Sequence, residues 1–438
     1  MSVIELADKL FNGEMAIEDH HPLFMDGEIA PVTESVAFVP SFANVSVIKT
    51  SDGLFMVDTG SSVFAKQVQD LIHGWSKDRL NTAVYSHGHI DHVFGYTVWE
   101  DYAKDNNLEM PKFVSHEKVV DRFDRYKLTN GYNTVINQRQ FQFLNFVFPS
   151  EFRYPDVTYR DTLELKVGDS NLALYHAKGE TDDHTYTWFE KEKVLFCGDL
   201  FIWASPNAGN PQKVQRYPME WAKALRSMLN LKGGPPEVIL SGHGFPIIGK
   251  ERVVAALSDT AAYLESIVTQ SLEMMNRGVK LNDIIHSVKP PVELSDKPYL
   301  KPVYDEPEFI VRNIWRLYGG WWDLDPSNLK PAKDQHVATE LVSLIGGIDP
   351  VLNRVKQILD NAKLQQIQNR SSNEDSIDDD LRVASKLIEL AYNSDLDNLK
   401  VHDLRSEFYK VMSERATSTM SKGVYTAASN DSKLKLGN

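Results

Sequence analysis

The sequence predicts an α/β protein, two β-sheets flanked by helices, that gives way to an all-α region on its C-terminal side. Three observations carry this expectation. Up to Gly249 short apolar runs of strand length alternate with helical segments such as Val63 to Trp75 and Pro218 to Leu231. After Gly249 strand-like runs nearly vanish and apolar residues recur at helical spacing. In the first part, metal-competent side chains crowd into Ser86-His87-Gly88-His89-Ile90-Asp91-His92, directly after the apolar run Thr82-Ala83-Val84-Tyr85, and no packing rule asks for that.

Val45 to Ile48, the turn Ser51-Asp52-Gly53 and Leu54 to Val57 read as a β-hairpin that ends in Asp58-Thr59-Gly60. Thr82 to Tyr85 is the next strand. In an extended segment successive side chains alternate sides, so His87, His89 and Asp91 can point one way while His92 leaves in another. One segment can therefore feed two adjacent metal ions. Imidazole with carboxylate suits zinc, and iron or manganese fit the same donors.

Downstream, strands Leu172 to Ala177 and Thr185 to Phe189 flank Lys178-Gly179-Glu180-Thr181-Asp182-Asp183-His184. A further strand leads through Gly198 to Asp199, and another, Glu237 to Leu240, leads to Ser241-Gly242-His243-Gly244. Beyond Gly249, Lys250 to Arg277 reads as one long helix, with Val253, Leu257, Ala261, Leu264, Ile267 and Leu272 on one face. Leu281 to Val288 and Pro307 to Tyr318 are helical too, separated by a break at Pro290-Pro291. An aromatic segment follows, Trp315-Arg316-Leu317-Tyr318-Gly319-Gly320-Trp321-Trp322-Asp323-Leu324-Asp325-Pro326-Ser327-Asn328-Leu329.

The His-x-His-x-Asp-His spacing resembles that of the metallo-β-lactamase-fold hydrolases, and implies their αββα sandwich. A carboxylate at Glu180, where most members carry histidine, is similar to the alkylsulfatase branch, and the Tyr318 to Leu329 run resembles the alkylsulfatase dimerisation region. Weaker likeness continues through Ala338 to Gly347 and Leu381 to Glu414, so the resemblance spans most of residues 30 to 420. It implies two Zn²⁺ per subunit: His87, His89 and Glu180 on one, Asp91, His92 and His243 on the other, with Asp199 as the bridge. It also implies that Asp58 supports the ligands by hydrogen bonding; a turn aspartate capping the helix that starts near Ser62 is the other reading. Asp91, Asp199, His184 and Tyr318 are the candidate catalytic residues, and Asn207 and Tyr318 the candidate substrate contacts. His176 and His184 either support the ligands, face the substrate or are ordinary strand residues.

The implied reaction is hydrolysis of an alkyl sulfate ester to alcohol and sulfate, by hydroxide that the metals make available at neutral pH. The departures from the branch matter. Where an alkylsulfatase grips sulfate with arginine, Asn207, Asn210, Gln212, Lys213 and Arg216 lie in an irregular stretch, and Asp199 is shorter than the glutamate expected there. A lactone, thioester or phosphoester therefore stays open as substrate, and so does a diiron redox or binding module. The chain reads as lacking a secretory leader and a sterol-carrier-like C-terminal domain, from which a smaller or differently shaped substrate is expected.

The expected layout is a catalytic domain over residues 1–249, a helical dimerisation region over 250–420 that pairs two subunits, and a disordered tail over 421–438. Residues 101–160, with Phe123, Tyr126, Tyr132, Asn133, Phe141, Phe143, Phe146 and Phe148, read either as a lid over an apolar pocket or as a peripheral subdomain. The acidic run Ser371 to Asp380 reads as a solvated loop. The 438 residues carry a formal charge of −14, which argues against a nucleic-acid partner. The only cysteine, Cys197, excludes an internal disulfide, and no apolar stretch approaches the length of a membrane span. A cytoplasmic enzyme acting on a small anionic ester with an apolar part is the expectation.

Overall fold

The computed structural model describes residues 1–23, 27–367 and 374–437. They divide into two bodies, one of Met1–Asn133 with Phe148–Asp323, the other of Thr134–Val147 with Leu324–Asn438.

The first body is built on two sheets. One contains β1 (Ala30–Pro31), β2 (Val36–Val39), β3 (Val45–Thr50), β4 (Gly53–Val57), β5 (Leu80–Val84), β6 (Lys112–His116) and β7 (Val157–Tyr159) in sequence order. The other runs from β8 (Thr162–Val167) through β9 (Ser170–Ala177), β10 (His184–Phe189), β11 (Val194–Gly198) and β12 (Val238–Ser241) to β13 (Ile247–Ile248). Strand alternation decides what each face covers. Val36, Phe38, Ile48, Phe55, Val57, Val84 and Val114 face Leu172, Leu174, Phe189, Phe196 and Leu240 between the sheets. The intervening residues, among them Ala37, Val39, Val47, Met56 and Tyr85, pack outward against Val68 and Ile72 of the helix Ala65–Trp75 and against Trp99 and Phe123. The helices Pro218–Met228 and Lys250–Asn276 pack on one another and reach β9 and β12 of the second sheet. This is the αββα sandwich.

The pairing explains where function gathers. β4 runs parallel to β5, with Val57 opposite Val84, and β11 runs parallel to β12, with Gly198 opposite Ser241. Parallel neighbours end at the same edge, so the loops after β4, β5, β11 and β12 emerge in adjacent pairs.

The expected layout is refined in three respects. Residues 101–160 are not a simple insertion, because they contain β6 and β7 of the first sheet. Three of their aromatics are core rather than surface: Phe123, Tyr126 and Phe148 are buried, with Phe123 stacked on Phe152 and Tyr126 edge-on to Phe148, whereas Tyr132 and Phe143 are exposed. By packing, the first body runs on past Gly249 to Asp323, because Val253, Leu257, Ala261 and Leu264 turn the helix Lys250–Asn276 onto it.

The second body is helical, with Asp334–Ile345, Ile348–Ile367, Glu374–Ser394, Leu399–Arg415 and Thr419–Lys435 as its longer elements. Leu381, Ala384, Ile388 and Ala391 form a heptad-like stripe packed with Val355, Leu359 and Phe408. Of the acidic run, residues 371–373 lie outside the described residues; from Glu374 the chain is helical because Ile377 and Leu381 are buried while Asp378, Asp379 and Asp380 face solvent. The expected tail is instead the helix Thr419–Lys435, capped by Ser418. Its buried face is Met420 followed by Ser421, Gly423, Ser429 and Ser432, mostly small residues that permit close approach and leave little hydrophobic signature. A Cβ on Gly423 would stand 2.2 Å from the Gln140 carbonyl oxygen.

Candidate metal centre

Each of the four strand ends delivers part of one cluster. Past β4, Asp58 sits at φ 63°, and its amide donates to the Val84 carbonyl at 2.8 Å. Past β5, the chain carries His87 and His89 and turns at once into the short helix Ile90–Val93, which holds Asp91 and His92. Past β11, Gly198 takes φ 49°, and a Cβ there would stand 2.6 Å from Ser86 Cβ and 2.7 Å from His184 Nε2. Only glycine fits that turn into Asp199. Past β12, Gly242 donates to the Gly198 carbonyl at 2.9 Å and sets His243 beside Asp199.

The side chains converge in two groups. His87, His89, Glu180 and Asp199 form one, Asp91, His92 and His243 the other, and within each group one ligand atom per residue lies within 4.8 Å of the rest. Asp199 reaches both groups. Its Oδ2 is 3.7 Å from His87 Nε2 and 3.4 Å from His243 Nε2, and its Oδ1 is 3.4 Å from His92 Nε2. Glu180 Oε2 lies 3.6 Å from His87 Nε2 and 3.5 Å from His89 Nδ1. Asp91 Oδ2 lies 3.3 Å from His243 Nε2. The open side of the centre is at His89 and Asp91, whose side chains are 19% and 22% exposed.

Hydrogen bonds fix which ring nitrogen faces inward. His92 Nδ1 donates to Asp58 Oδ2 at 2.8 Å and His243 Nδ1 to the Phe42 carbonyl at 2.6 Å, which turns both Nε2 atoms to the cluster. Ser86 Oγ donates to Asp58 Oδ2 at 2.8 Å and lies 3.0 Å from His87 Nδ1, so the same carboxylate also orients His87. The helix Ala65–Trp75 has no side-chain cap, so the capping role for Asp58 is excluded.

These residues fit divalent metal. Buried His92 Nε2, Glu180 Oε2 and Asp199 Oδ1 have no hydrogen-bond partner, a costly state unless another group meets them. The charges say the same. Burial, then the neighbouring imidazoles, push His87 well below the ordinary histidine value, so it is a neutral donor. Burial alone would lower His92 and His243 as well, yet Asp199 first and Asp91 with it lift both, His243 to about 10. Protons there answer a demand for positive charge that a cation in the cluster would meet instead. Burial raises Glu180 to about 7 against the pull of Arg216.

The remaining expected residues are placed differently. His184 is fully buried and stacked on the His87 ring at 4.6 Å, a position against a ligand ring rather than on the exposed side of the cluster. His176 stacks on His116 at 3.7 Å and contacts the Asp182 carbonyl at 2.9 Å, away from both groups. Asn207 donates its amide to Glu180 Oε1 and so supports that carboxylate. Tyr318 is not brought to the cluster: it is 48% exposed in the last turn of the helix Pro307–Gly319, where the chain leaves the core, and the charge acting on it is Glu220. Arg216 is buried with its guanidinium on Glu180, donating to the Glu180 carbonyl, with Nη1 3.4 Å from Oε1.

Sequence reasoning missed two groups, Asn44 and Tyr304, and named a third, Lys213, without giving it a role. Asn44 donates to the carbonyls of Ser241 at 3.2 Å and Gly244 at 2.8 Å, on either side of His243. Tyr304 feels the charges of Glu180, Asp91 and Asp199, although no motif surrounds it in sequence. Lys213, present in the irregular stretch, is lowered to about 8 by burial and Arg216, with Asp91 and Glu180 opposing.

Known proteins resemble the chain in sequence and in fold. Residues 39–243 match the metallo-beta-lactamase superfamily and residues 280–434 match the alkyl sulfatase dimerisation family. A linear primary-alkylsulfatase of a Pseudomonas species is 25% identical over 70% of this chain and 61% of its own length. An alkyl/aryl-sulfatase of Saccharomyces cerevisiae is 23% identical over 71% of this chain and 52% of its own length. The chain thus spans between half and two thirds of these relatives. The solved structure of a stereoselective inverting sec-alkylsulfatase from Pseudomonas sp. superposes with a TM-score of 0.81 at 21% identity, covering 94% of this chain and 66% of that one, a likeness of fold.

Proposed function

Because the chain is an alkylsulfatase-like protein of metallo-β-lactamase fold, we propose that it hydrolyses sulfate esters of alkyl alcohols with two divalent metal ions, zinc foremost, held by the two groups. The observation that carries the reading is the pair of ligand groups joined by Asp199, whose carboxylates act through their charge on Lys213 and Tyr304. Metal bound there supplies Lewis acidity and a water of depressed pKa. The chain's own residues do the rest. Asp58 and the Phe42 carbonyl hold the imidazoles in the tautomer that leaves Nε2 as acceptor. Lys213, on which Asp91 and Glu180 act through their charge, is the candidate cation to meet an anionic ester. The balance is one water and one sulfate monoester giving the alcohol and hydrogen sulfate. A sulfate-free ester is the second reading, favoured by Arg216 being spent on Glu180 rather than turned to a substrate anion.

The same reading includes a homodimer. The helix Asp334–Ile345 exposes Val337, Leu341, Leu344 and Ile345, a continuous apolar face at helical spacing within the segment that matches the dimerisation family.

The test is a panel of medium and long alkyl sulfates, a lactone, a thioester and a phosphoester, offered to zinc-loaded protein beside a His89→Ala control, with sulfate read by ion chromatography. Sulfate release lost in the control is the expected result. Turnover of another ester alone favours the second reading, and no turnover of any refutes both.

A further inference from the structure

One buried ion pair grips the loop that carries the first ligand group. Arg122, from the helix Lys118–Phe141, is 2% exposed and its Nε donates to the fully buried Asp183 Oδ2 at 2.5 Å. Its Nη2 donates to Asp182 Oδ1 at 2.8 Å. The same Asp183 Oδ2 accepts the backbone N–H of Gly88, the residue between His87 and His89, at 3.1 Å. Asp182 and Asp183 follow Glu180 in one short loop, so a single guanidinium ties the backbone beside three of the expected ligands.

The clamp also accounts for the glycine in His-Gly-His. A Cβ on Gly88 would stand 2.8 Å from Arg122 Cδ, 3.1 Å from Asp183 Oδ2 and 3.3 Å from Phe123 Cε1. Gly88 is thus required by close approach of the clamp. Burial would raise the Asp183 carboxyl, but Arg122 holds it below its ordinary value, so the pair stays ionised. A desolvated pair of this kind rarely repays its burial in stability alone. By contrast, the second group, Asp91, His92 and His243, is held by Asp58 and the Phe42 carbonyl and makes no contact with this clamp among the described hydrogen bonds.

We propose that Arg122 and Asp183 are positioning residues that set the metal affinity of the His87, His89 and Glu180 group selectively, by fixing the Gly88 backbone and the Glu180 loop. The proposal rests on the reading of the two groups as metal sites. Neither residue touches substrate in this account.

The test is zinc titration of Asp183→Asn and Arg122→Lys against a chromophoric chelator. Visible spectra of the cobalt-loaded forms, and melting temperatures of the metal-free forms, accompany it. Asparagine keeps the volume and loses the charge; lysine keeps the charge and loses the fork that bridges two carboxylates. The expected result is one zinc site weakened by on the order of tenfold with the other unchanged, and a cobalt spectrum altered in one component. Asp182→Asn, at the exposed edge of the clamp, is expected to have a smaller effect. Variants that lower only the metal-free melting temperature, with both zinc affinities at the wild-type level, overturn the proposal and leave a structural ion pair. Equal weakening of both sites overturns the selectivity. If wild-type protein binds no zinc, the functional reading fails and the proposal fails with it.

Discussion

Replacing Asp58 by asparagine removes one negative charge at nearly constant volume, and three hydrogen bonds depend on that charge. Asp58 Oδ1 accepts the Ser86 amide at 2.7 Å, while Oδ2 accepts Ser86 Oγ and His92 Nδ1, both at 2.8 Å. Asparagine has one acceptor oxygen. If that oxygen takes the Oδ1 place, the NH₂ faces two donors: the Ser86 hydroxyl can reverse and donate to His87 Nδ1, but His92 Nδ1–H is stranded. The reversal drives the His87 proton to Nε2, the atom that faces Asp199. In the other orientation the Ser86 amide is stranded. Either way at least one fully buried donor loses its partner, which costs about 1–3 kcal/mol. Lost orientation of a metal-binding imidazole costs roughly tenfold to hundredfold in metal affinity. Urea unfolding in chelator reads the first number and zinc competition the second. Because Asp58 supports His92 directly and His87 through Ser86, both zinc sites are expected to weaken. An Asp58→Asn protein with unchanged metal-free stability and unchanged zinc affinity would refute this account of the tautomers.

Three further outcomes follow from particular contacts. A Cβ on Gly242 would lie 2.2 Å from Asp199 Oδ1, so Gly242→Ala displaces the carboxylate shared by both groups; hydrolysis is expected to fall by on the order of a hundredfold while the far-ultraviolet spectrum is retained. His116 is pushed down to about 4 by burial and then by the stacked His176, so between pH 6.5 and about 4 the unfolded chain binds a proton that the folded chain does not. Its contribution to stability is present above the ordinary histidine value and is lost as pH falls through the folded one, so His116→Gln should flatten the acid limb of a denaturation series; an unchanged slope would contradict this. Leu341→Glu with Leu344→Glu places two charges on the exposed face of the helix Asp334–Ile345 and should give a monomer on light scattering with the helical circular dichroism intact.

The sequence made the centre legible because its parts are local. His87, His89, Asp91 and His92 announce themselves within one strand-to-helix turn, and Glu180, Asp199 and His243 each follow an apolar run that is a strand here. What supports the centre is not local. Arg122 meets Asp183 across 61 positions and Asn44 meets Gly244 across 200, and no periodicity marks such partners. Tyr318 was picked out by an aromatic run, yet helix geometry at the end of Pro307–Gly319 carries it outward, whereas Tyr304 stands in an irregular segment with no signal of its own. The helix Thr419–Lys435 escaped notice because, apart from Met420, its buried face is serine and glycine, and hydrophobic patterning sees little in a face made mostly of small residues. Between the two readings of residues 101–160 composition could not choose: buried rings such as Phe123 and Phe148 pack a core while Phe143 is exposed, and composition alone does not distinguish a core ring from a pocket wall.

The most direct test of the central claim is zinc bound per chain after equilibrium dialysis, measured by elemental analysis for wild type, His89→Ala and His243→Ala. The account predicts two ions in the wild type, one in each variant, and a different one remaining in each. One ion in the wild type, or none lost on changing either histidine, would contradict a centre built from two groups that share Asp199.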